Sequence, residues 1–116
     1  MNIDPKVLSV TLSEVLIDIV RKNHTVEEIA MSHDVFCSMM TLKQGTGHQS
    51  IHHYMKDGDL TYRFCGLYIH AYKEWPENVI RVFDQSYRLL ALIEINDDGT
   101  TTTQTQSNHH GRQQPR

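Results

Sequence analysis

The amino-acid sequence predicts an α+β fold in which two N-terminal helices pack on an antiparallel meander of four to five strands. The first part of the chain spaces its apolar residues with a helical period, whereas strand patterns and turn signals dominate after Gly47. Helices that precede a run of strands pack on one face of the sheet. At 116 residues the chain is long enough for one domain, assigned to residues 1–105, and a polar, disordered tail is expected over 106–116.

The first helix is predicted to begin at Asp4 and Pro5, which are favourable residues for the N-cap and the first turn. The apolar stripe that faces the core has helical spacing and comprises Leu8, Leu12, Val15, Leu16, Ile19 and Val20. Val10 and Ile17 lie off this stripe, so the helix is expected to be covered on more than one side. Asn23 is a suitable residue to end it.

A second helix is predicted from Thr25, because Thr25 and Glu28 have the spacing of a capping box. A helical stripe then continues through Val26, Ile29, His33, Cys37 and Met40. No glycine or proline interrupts the run before Gly45, so we interpret it as one continuous helix.

The same segment also has features of a helix-turn-helix over residues 25–43, which would make the protein a DNA-binding transcriptional regulator. In that interpretation residues 26–32 form the supporting helix and residues 36–44 the recognition helix. The DNA contacts would come from Ser38, Thr41, Lys43 and Gln44. Direct readout prefers arginine, lysine, asparagine and glutamine, and Lys43 is the single basic residue of that helix. The single helix is therefore favoured, and DNA binding is kept as the alternative.

The strands are predicted from turn signals that separate apolar runs. Asp57-Gly58 is a strong two-residue hairpin signal, and the strand from Leu60 is expected to continue to Tyr72 with an irregularity at Gly66. Such an irregularity would bring Leu67 and Ile69 to the same face as Phe64. The other predicted strands are Ser50–Lys56, Val79–Phe83, Tyr87–Ile95 and a short edge strand at Thr100–Thr105.

Charge and cysteine usage limit the classes of function. The formal net charge is −3, and no part of the predicted domain is basic, which disfavours nucleic-acid binding. No apolar run approaches the roughly 20 residues of a membrane span, and the N-terminus lacks the basic region of a signal peptide. Cys37 and Cys65 lie inside apolar patterns and are expected to be buried free thiols. These observations predict a soluble cytoplasmic protein with no membrane partner.

Histidines provide the main candidate for a metal site, since His48, His52 and His53 lie close together in the sequence. On a strand, however, His48 and His52 are separated by roughly 13 Å at ~3.3 Å per residue, and His53 points to the other face from His52. No metal ligand set or cofactor is therefore predicted. The chain also lacks a phosphate-binding glycine loop and a G-x-S-x-G motif, so a non-enzymatic protein is expected.

Aromatic residues are concentrated in the predicted sheet. They comprise Tyr54, Tyr62, Phe64, Tyr68, Tyr72, Trp75, Phe83 and Tyr87, and the sheet arginines are Arg63, Arg81 and Arg88. Such rings can form a stacking platform for single-stranded nucleic acid. Packing in the core and between strands is the more common role of sheet aromatics, and we favour it here.

One apolar face of the sheet is expected to remain without a partner within the chain. In the strand that ends at Ile95, Leu90 and Leu92 point away from the side of Leu89 and Ala91, so helices on one side leave them uncovered. We therefore predict a small regulatory or accessory protein that acts by protein–protein binding or homodimerisation through its sheet. The predicted partner-binding residues are Ile80, Val82, Leu90 and Leu92.

Overall fold

Two helices and seven strands follow one another in the computed structural model, which describes residues 3–43, 45 and 47–105. Gln44 and the predicted disordered tail over residues 106–116 lie outside the described residues. The elements are α1 (Pro5–Arg21), β1 (Glu28–Ser32), α2 (His33–Met40), β2 (Ile51–Lys56), β3 (Asp59–Phe64), β4 (Leu67–Tyr72), β5 (Val79–Phe83), β6 (Leu89–Ile95) and β7 (Thr101–Thr105). The α+β class is confirmed.

Helix α1 begins where the sequence predicts. The side chain of Asp4 accepts a hydrogen bond from the Lys6 amide at 2.9 Å, and Pro5 is the first helical residue. The buried residues of the helix are Leu8, Ser9, Leu12, Val15, Leu16 and Ile19. Val20 was expected on this stripe but is 64% exposed, and the off-stripe Ile17 is 53% exposed. The expectation that α1 is covered on more than one side is therefore wrong within the described residues.

Residues 28–32 form the strand β1 instead of a helix, and this overturns both interpretations of residues 25–43. The strand pairs with β4 on one side and with β5 on the other. Both of its faces are covered, so Ile29, Ala30 and Met31 are all buried and the alternation that identifies most strands is missing. Helix α2 begins only at His33 and spans 8 residues. The supporting helix of a helix-turn-helix is thus absent, and so is the continuous helix from Thr25.

The sheet is mixed and has seven strands, in the order β2-β3-β4-β1-β5-β6-β7. The predicted antiparallel meander is present as two three-stranded meanders, β2-β3-β4 and β5-β6-β7. Strand β1 is inserted between them, parallel to β4 and antiparallel to β5. The prediction of four to five antiparallel strands is wrong because it assigned this central strand to a helix and joined β3 to β4.

Two consecutive hairpins use the same turn geometry. Asp57 and Gly58 have φ values of 53° and 82°, as a two-residue turn with both residues in the left-handed region requires, so the predicted hairpin is confirmed. Cys65 and Gly66 have φ values of 52° and 79° and reverse the chain in the same way. The predicted strand from Leu60 to Tyr72 is therefore two strands, and the chain turns at the point where an irregularity was expected.

The strands after β4 follow the sequence closely. Val79–Phe83 has the predicted bounds, β6 begins at Leu89 instead of Tyr87, and the threonine-rich edge strand is present as Thr101–Thr105. The register between β5 and β6 shifts: Val82 is opposite Ala91 and Phe83 is opposite Leu89. Leu90 is therefore an extra residue in the ladder, and it is buried on the helix side of the sheet.

Both helices pack on one face of the sheet. Cross-strand pairs place Ile29, Ile69 and Val82 in one row of this face, and Met31 and Ile80 in the next. These side chains join the buried residues of α1 and α2 in a single core cluster. Among the described residues, no helix is long and apolar enough to span a membrane.

Candidate binding face of the sheet

The side of the sheet opposite the helices is covered by no helix among the described residues, and it is called the open face here. Strand pairing assigns to it Glu28, His52, Tyr54, Lys56, Asp59, Thr61, Arg63, Tyr68, His70, Tyr72, Arg81, Phe83, Leu89, Leu92 and Glu94. Buried apolar side chains dominate the helix side, whereas the open face carries aromatic rings together with two arginines. The open face is therefore the candidate binding surface of the sheet.

The first group of stacked side chains, the Arg63 cluster, comprises Tyr54, Arg63 and Tyr68 on β2, β3 and β4. The guanidinium carbon of Arg63 lies 5.0 Å from the centroid of the Tyr54 ring and 4.5 Å from that of Tyr68. One terminal nitrogen also donates a hydrogen bond to the Tyr68 hydroxyl at 3.0 Å. Cation–π contacts with two rings hold the arginine in one position.

The second group, the Trp75 cluster, lies over the centre of the open face and comprises Tyr72, Trp75 and Arg81. The rings of Tyr72 and Trp75 are stacked at 4.6 Å and 10°, and the guanidinium of Arg81 lies 4.4 Å from the Trp75 centroid. Trp75 belongs to the loop between β4 and β5. The loop thus adds an aromatic layer above the middle strands, where Ala30 on the same side of β1 is only 1% exposed.

Acidic and titratable groups lie between these two clusters. Glu28 on the central strand is 3.9 Å from Nε2 of His70, which makes an ion pair when His70 is protonated. Burial raises the pKa of the Tyr72 hydroxyl, and the nearby Glu28 carboxylate raises it further. With acids placed among the arginines, the open face is not a uniformly basic surface.

The predicted partner-binding residues divide between the two sides of the sheet. Ile80 and Val82 are fully buried and Leu90 is 3% exposed, all three in the core cluster beneath the helices. Leu92 alone lies on the open face, where it is half-buried between Arg81 and Gln104. Leu90 and Leu92 were expected to share a face, but the bulge at Leu90 turns that side chain into the core.

The residues of the DNA-binding alternative lie on or just after α2. The hydroxyl of Ser38 donates to the Ile3 carbonyl at 3.0 Å, and that of Thr41 donates to the Ser38 carbonyl at 2.7 Å. Lys43 is exposed after the helix, and Gln44 lies outside the described residues. The two hydroxyl groups thus serve local structure, and the helix-turn-helix that would have aimed them at DNA is not formed.

The histidine and cysteine side chains occupy scattered positions. His52 and His53 are neighbours on β2 and point to opposite faces, and His48 precedes that strand. No group of three or more potential metal ligands occurs among the described residues. The prediction that both cysteines are buried is wrong: Cys37 is exposed with its sulfur 3.4 Å from Nε2 of His33, and Cys65 is exposed in the β3–β4 turn.

The aromatic pattern was visible in the sequence, but the side on which each ring lies was not. Tyr62 and Tyr68 share parity in the sequence, yet the turn at Cys65 and Gly66 sends them to opposite faces. The sequence carries a usable signal for this outcome, namely a glycine at the second position of a two-residue turn between apolar runs. Comparisons of the chain with protein-family profiles, with curated proteins and with solved structures find no match.

Proposed function

We propose that the protein acts by protein–protein binding through the open face and has no enzymatic activity, with a second copy of the same chain as the partner to test first. The observation that carries this proposal is the pair of stacked arginine–aromatic clusters on a sheet face that is covered by no helix of the described residues. Arginine, tyrosine and tryptophan are the residues most enriched at the energetic centres of protein interfaces.

The stacking also lowers the entropic penalty of binding. An exposed arginine loses much side-chain freedom when it enters an interface, roughly 0.5–1.5 kcal/mol for a rotamer-rich side chain. Arg63 and Arg81 are already held against aromatic rings, as is Tyr72 against Trp75. Much of their side-chain entropy is therefore lost on folding and not on binding, which supports a preorganised binding surface.

Single-stranded nucleic acid is a second candidate, favoured by the same rings. A platform that binds nucleic acid combines stacking with a positively charged groove. Here Glu28, Asp59 and Glu94 lie on the same side of the sheet as the arginines, and the formal net charge of the chain is −3. The charge distribution supports a protein partner over a phosphate backbone. A cytoplasmic location belongs to the proposal, because Cys37 and Cys65 are free thiols.

Sedimentation equilibrium over a wide range of concentrations tests self-association. We expect a dimer that Tyr68→Ser weakens about 30-fold or more, as the loss of an interface hot spot of ~2 kcal/mol predicts. Leu60→Ser is the matched control, since Leu60 is 48% exposed on the other side of the same sheet. A monomer at every concentration, or equal weakening by both variants, contradicts the proposal.

Binding of a fluorescent single-stranded oligonucleotide, measured by anisotropy at low and high salt, tests the second candidate. Steeply salt-dependent binding that Tyr68→Ser abolishes would establish nucleic acid as the ligand of the open face. The absence of binding at low salt is the outcome that the protein-binding proposal requires.

A further inference from the structure

A shallow depression of about 420 Å³ lies on the open face where β2, β3 and β4 meet. Thr61 is near its middle, the rings of Tyr54 and Tyr68 line it, and Arg63 lies at its inner end. Lys56 and Asp59, which are directly opposite each other across the β2–β3 ladder, line the outer end near the hairpin turn. The depression thus has a cationic inner end and, at the outer end, a carboxylate beside a lysine.

Arg63 is placed to receive an acceptor from outside the chain. Its Nε is buried, so an acceptor from outside the chain approaches the terminal nitrogens, one of which donates a hydrogen bond to the Tyr68 hydroxyl. The ion pairs found in the described part of the chain do not include Arg63. A guanidinium that is held between two rings without a carboxylate is a preorganised carboxylate-binding group.

The nearest acid on the same strand face cannot supply that carboxylate within one chain. Asp59, Thr61 and Arg63 alternate along β3, so they lie on one side of the sheet, and Asp59 is exposed. Four residues of strand separate Asp59 from Arg63 by roughly 13 Å at ~3.3 Å per residue. A two-fold axis that runs above Thr61, parallel to the sheet and perpendicular to β3, places Asp59 of each copy opposite Arg63 of the other, because Thr61 is midway between them.

We propose that a second copy of this chain docks face to face on the depression, with β3 antiparallel to β3 of the partner and Arg63 opposite the partner's Asp59. Because of the two-fold symmetry, the dimer contains two such ion pairs, one from Arg63 of each copy. The symmetry also brings Tyr54, the cross-strand neighbour of Thr61, against the same ring of the other copy. Packed sheets keep their strands within about 30° of each other, so this arrangement is compatible with ordinary sheet-on-sheet packing.

Charge complementarity is what selects a second copy as the occupant. Asp59 and Arg63, two of the charged residues that line the depression, exchange positions under the rotation, so each meets the opposite charge on the other copy. A nucleic-acid strand would bring phosphates against Asp57 and Asp59 as well as against Arg63. The inference rests on the proposed function, because it requires the open face to associate with itself.

A charge-reversal experiment tests the register. Arg63→Asp and Asp59→Arg each place like charges opposite one another in both copies, and each should weaken the dimer about ten-fold or more. An equimolar mixture of the two single variants restores both attractive pairs, so native mass spectrometry should detect a heterodimer in excess of either homodimer. The double variant Arg63→Asp/Asp59→Arg should regain the wild-type dimer affinity.

The control is Lys6→Asp, which changes the charge by the same amount in the exposed first turn of α1, on the other side of the molecule. Thermal melts and circular dichroism establish that each variant is folded. If Arg63→Asp unfolds, Arg63→Lys replaces it. Because Arg63→Lys keeps the positive charge, it should weaken the dimer less than Asp59→Arg does. If the wild type is a dimer but the charge variants dimerise equally well, or if the mixture of the two single variants gives no heterodimer, the proposed register is wrong. The proposed function is not contradicted by either result. A wild-type protein that stays monomeric contradicts the proposed self-association itself.

Discussion

The hydroxyl of Ser32 accepts a hydrogen bond from the backbone amide of Val79 at 2.8 Å and donates one to the carbonyl of Glu77 at 2.7 Å. Ser32 is the last residue of β1 and the N-cap of α2, and its side chain makes no cap hydrogen bond. The hydroxyl instead attaches the end of the central strand to the β4–β5 loop. This loop carries Trp75, so a buried serine helps to fix the aromatic layer of the open face.

Replacing Ser32 with alanine should therefore lower the free energy of unfolding by about 1–3 kcal/mol, because the buried amide of Val79 loses its acceptor. Urea unfolding followed by Trp75 fluorescence measures this difference, and the native emission should also shift as the loop loosens. Ser86→Ala, at an exposed turn position, is the control and should stay within about 0.5 kcal/mol of the wild type. Equal stability of Ser32→Ala and the wild type would contradict the assigned hydrogen bonds.

Leu90 and Leu92 should respond differently to the same substitution. Leu90→Lys buries an ammonium group in the core and should destabilise the protein by roughly 3–5 kcal/mol, in the range of an uncompensated buried charge. Leu92 is half-buried on the open face, so the Leu92→Lys variant should remain folded, with its charged end reaching solvent. Thermal unfolding followed by circular dichroism distinguishes the two variants. Similar melting temperatures for both would contradict the bulge at Leu90.

Local signals predicted the elements that local chemistry controls. The Asp4 cap, the Asp57-Gly58 turn and the strand Val79–Phe83 are all where the sequence indicates. Strand β1 could not be found in this way, because a central strand that is covered on both sides has no alternating pattern. Its residues also fit a helical stripe, and only pairing with β4 and β5, distant in the sequence, decides in favour of a strand.

The residues of the candidate site were visible in the sequence, but the partner-binding residues predicted from it were Ile80, Val82, Leu90 and Leu92, of which Leu92 alone lies on the open face. The rings and arginines of the sheet were recognisable, but their distribution between two faces depends on register. The turn at Cys65 and Gly66 brings Leu67 and Ile69 to the side of Phe64, as the irregularity at Gly66 predicted, whereas the extra residue at Leu90 reverses the expected side of that leucine. Gly66 marks the turn in the sequence, but a leucine does not mark a bulge, so the side of Leu90 could be assigned only from strand pairing.

Asp84 should make the stability of the β5–β6 turn depend on pH. Its carboxylate accepts hydrogen bonds from the amides of Arg88 and Ser86 and pairs with the Arg88 side chain. The bond from the Arg88 amide is the main cause that holds the pKa of Asp84 below its usual value. Because the folded pKa is depressed, the stabilisation is present above the unfolded pKa and is lost as the pH falls through the folded value.

Asp84→Ala should accordingly lower the melting temperature at pH 7, and the difference from the wild type should shrink below about pH 4, where the unfolded carboxyl is protonated. Thermal melts across this range measure the difference. Asp97→Ala removes an exposed acid from the β6–β7 turn and controls for the loss of net charge. If the difference in melting temperature were constant with pH, ionisation of the Asp84 side chain would not contribute to the stability of the protein.

The Cys65 thiol should react more slowly in the folded protein than its exposed turn position suggests. Desolvation raises the pKa of the thiol, which lines the same apolar groove as Leu16 and Ile17 of α1. Because the thiolate is the nucleophile, alkylation by iodoacetamide at pH 8 should be slower in the native state than in urea. A Cys37→Ser variant leaves Cys65 as the one thiol to follow by mass spectrometry. The two rates should converge as the pH rises above the native pKa, whereas a constant ratio at every pH would indicate steric shielding instead of a raised pKa.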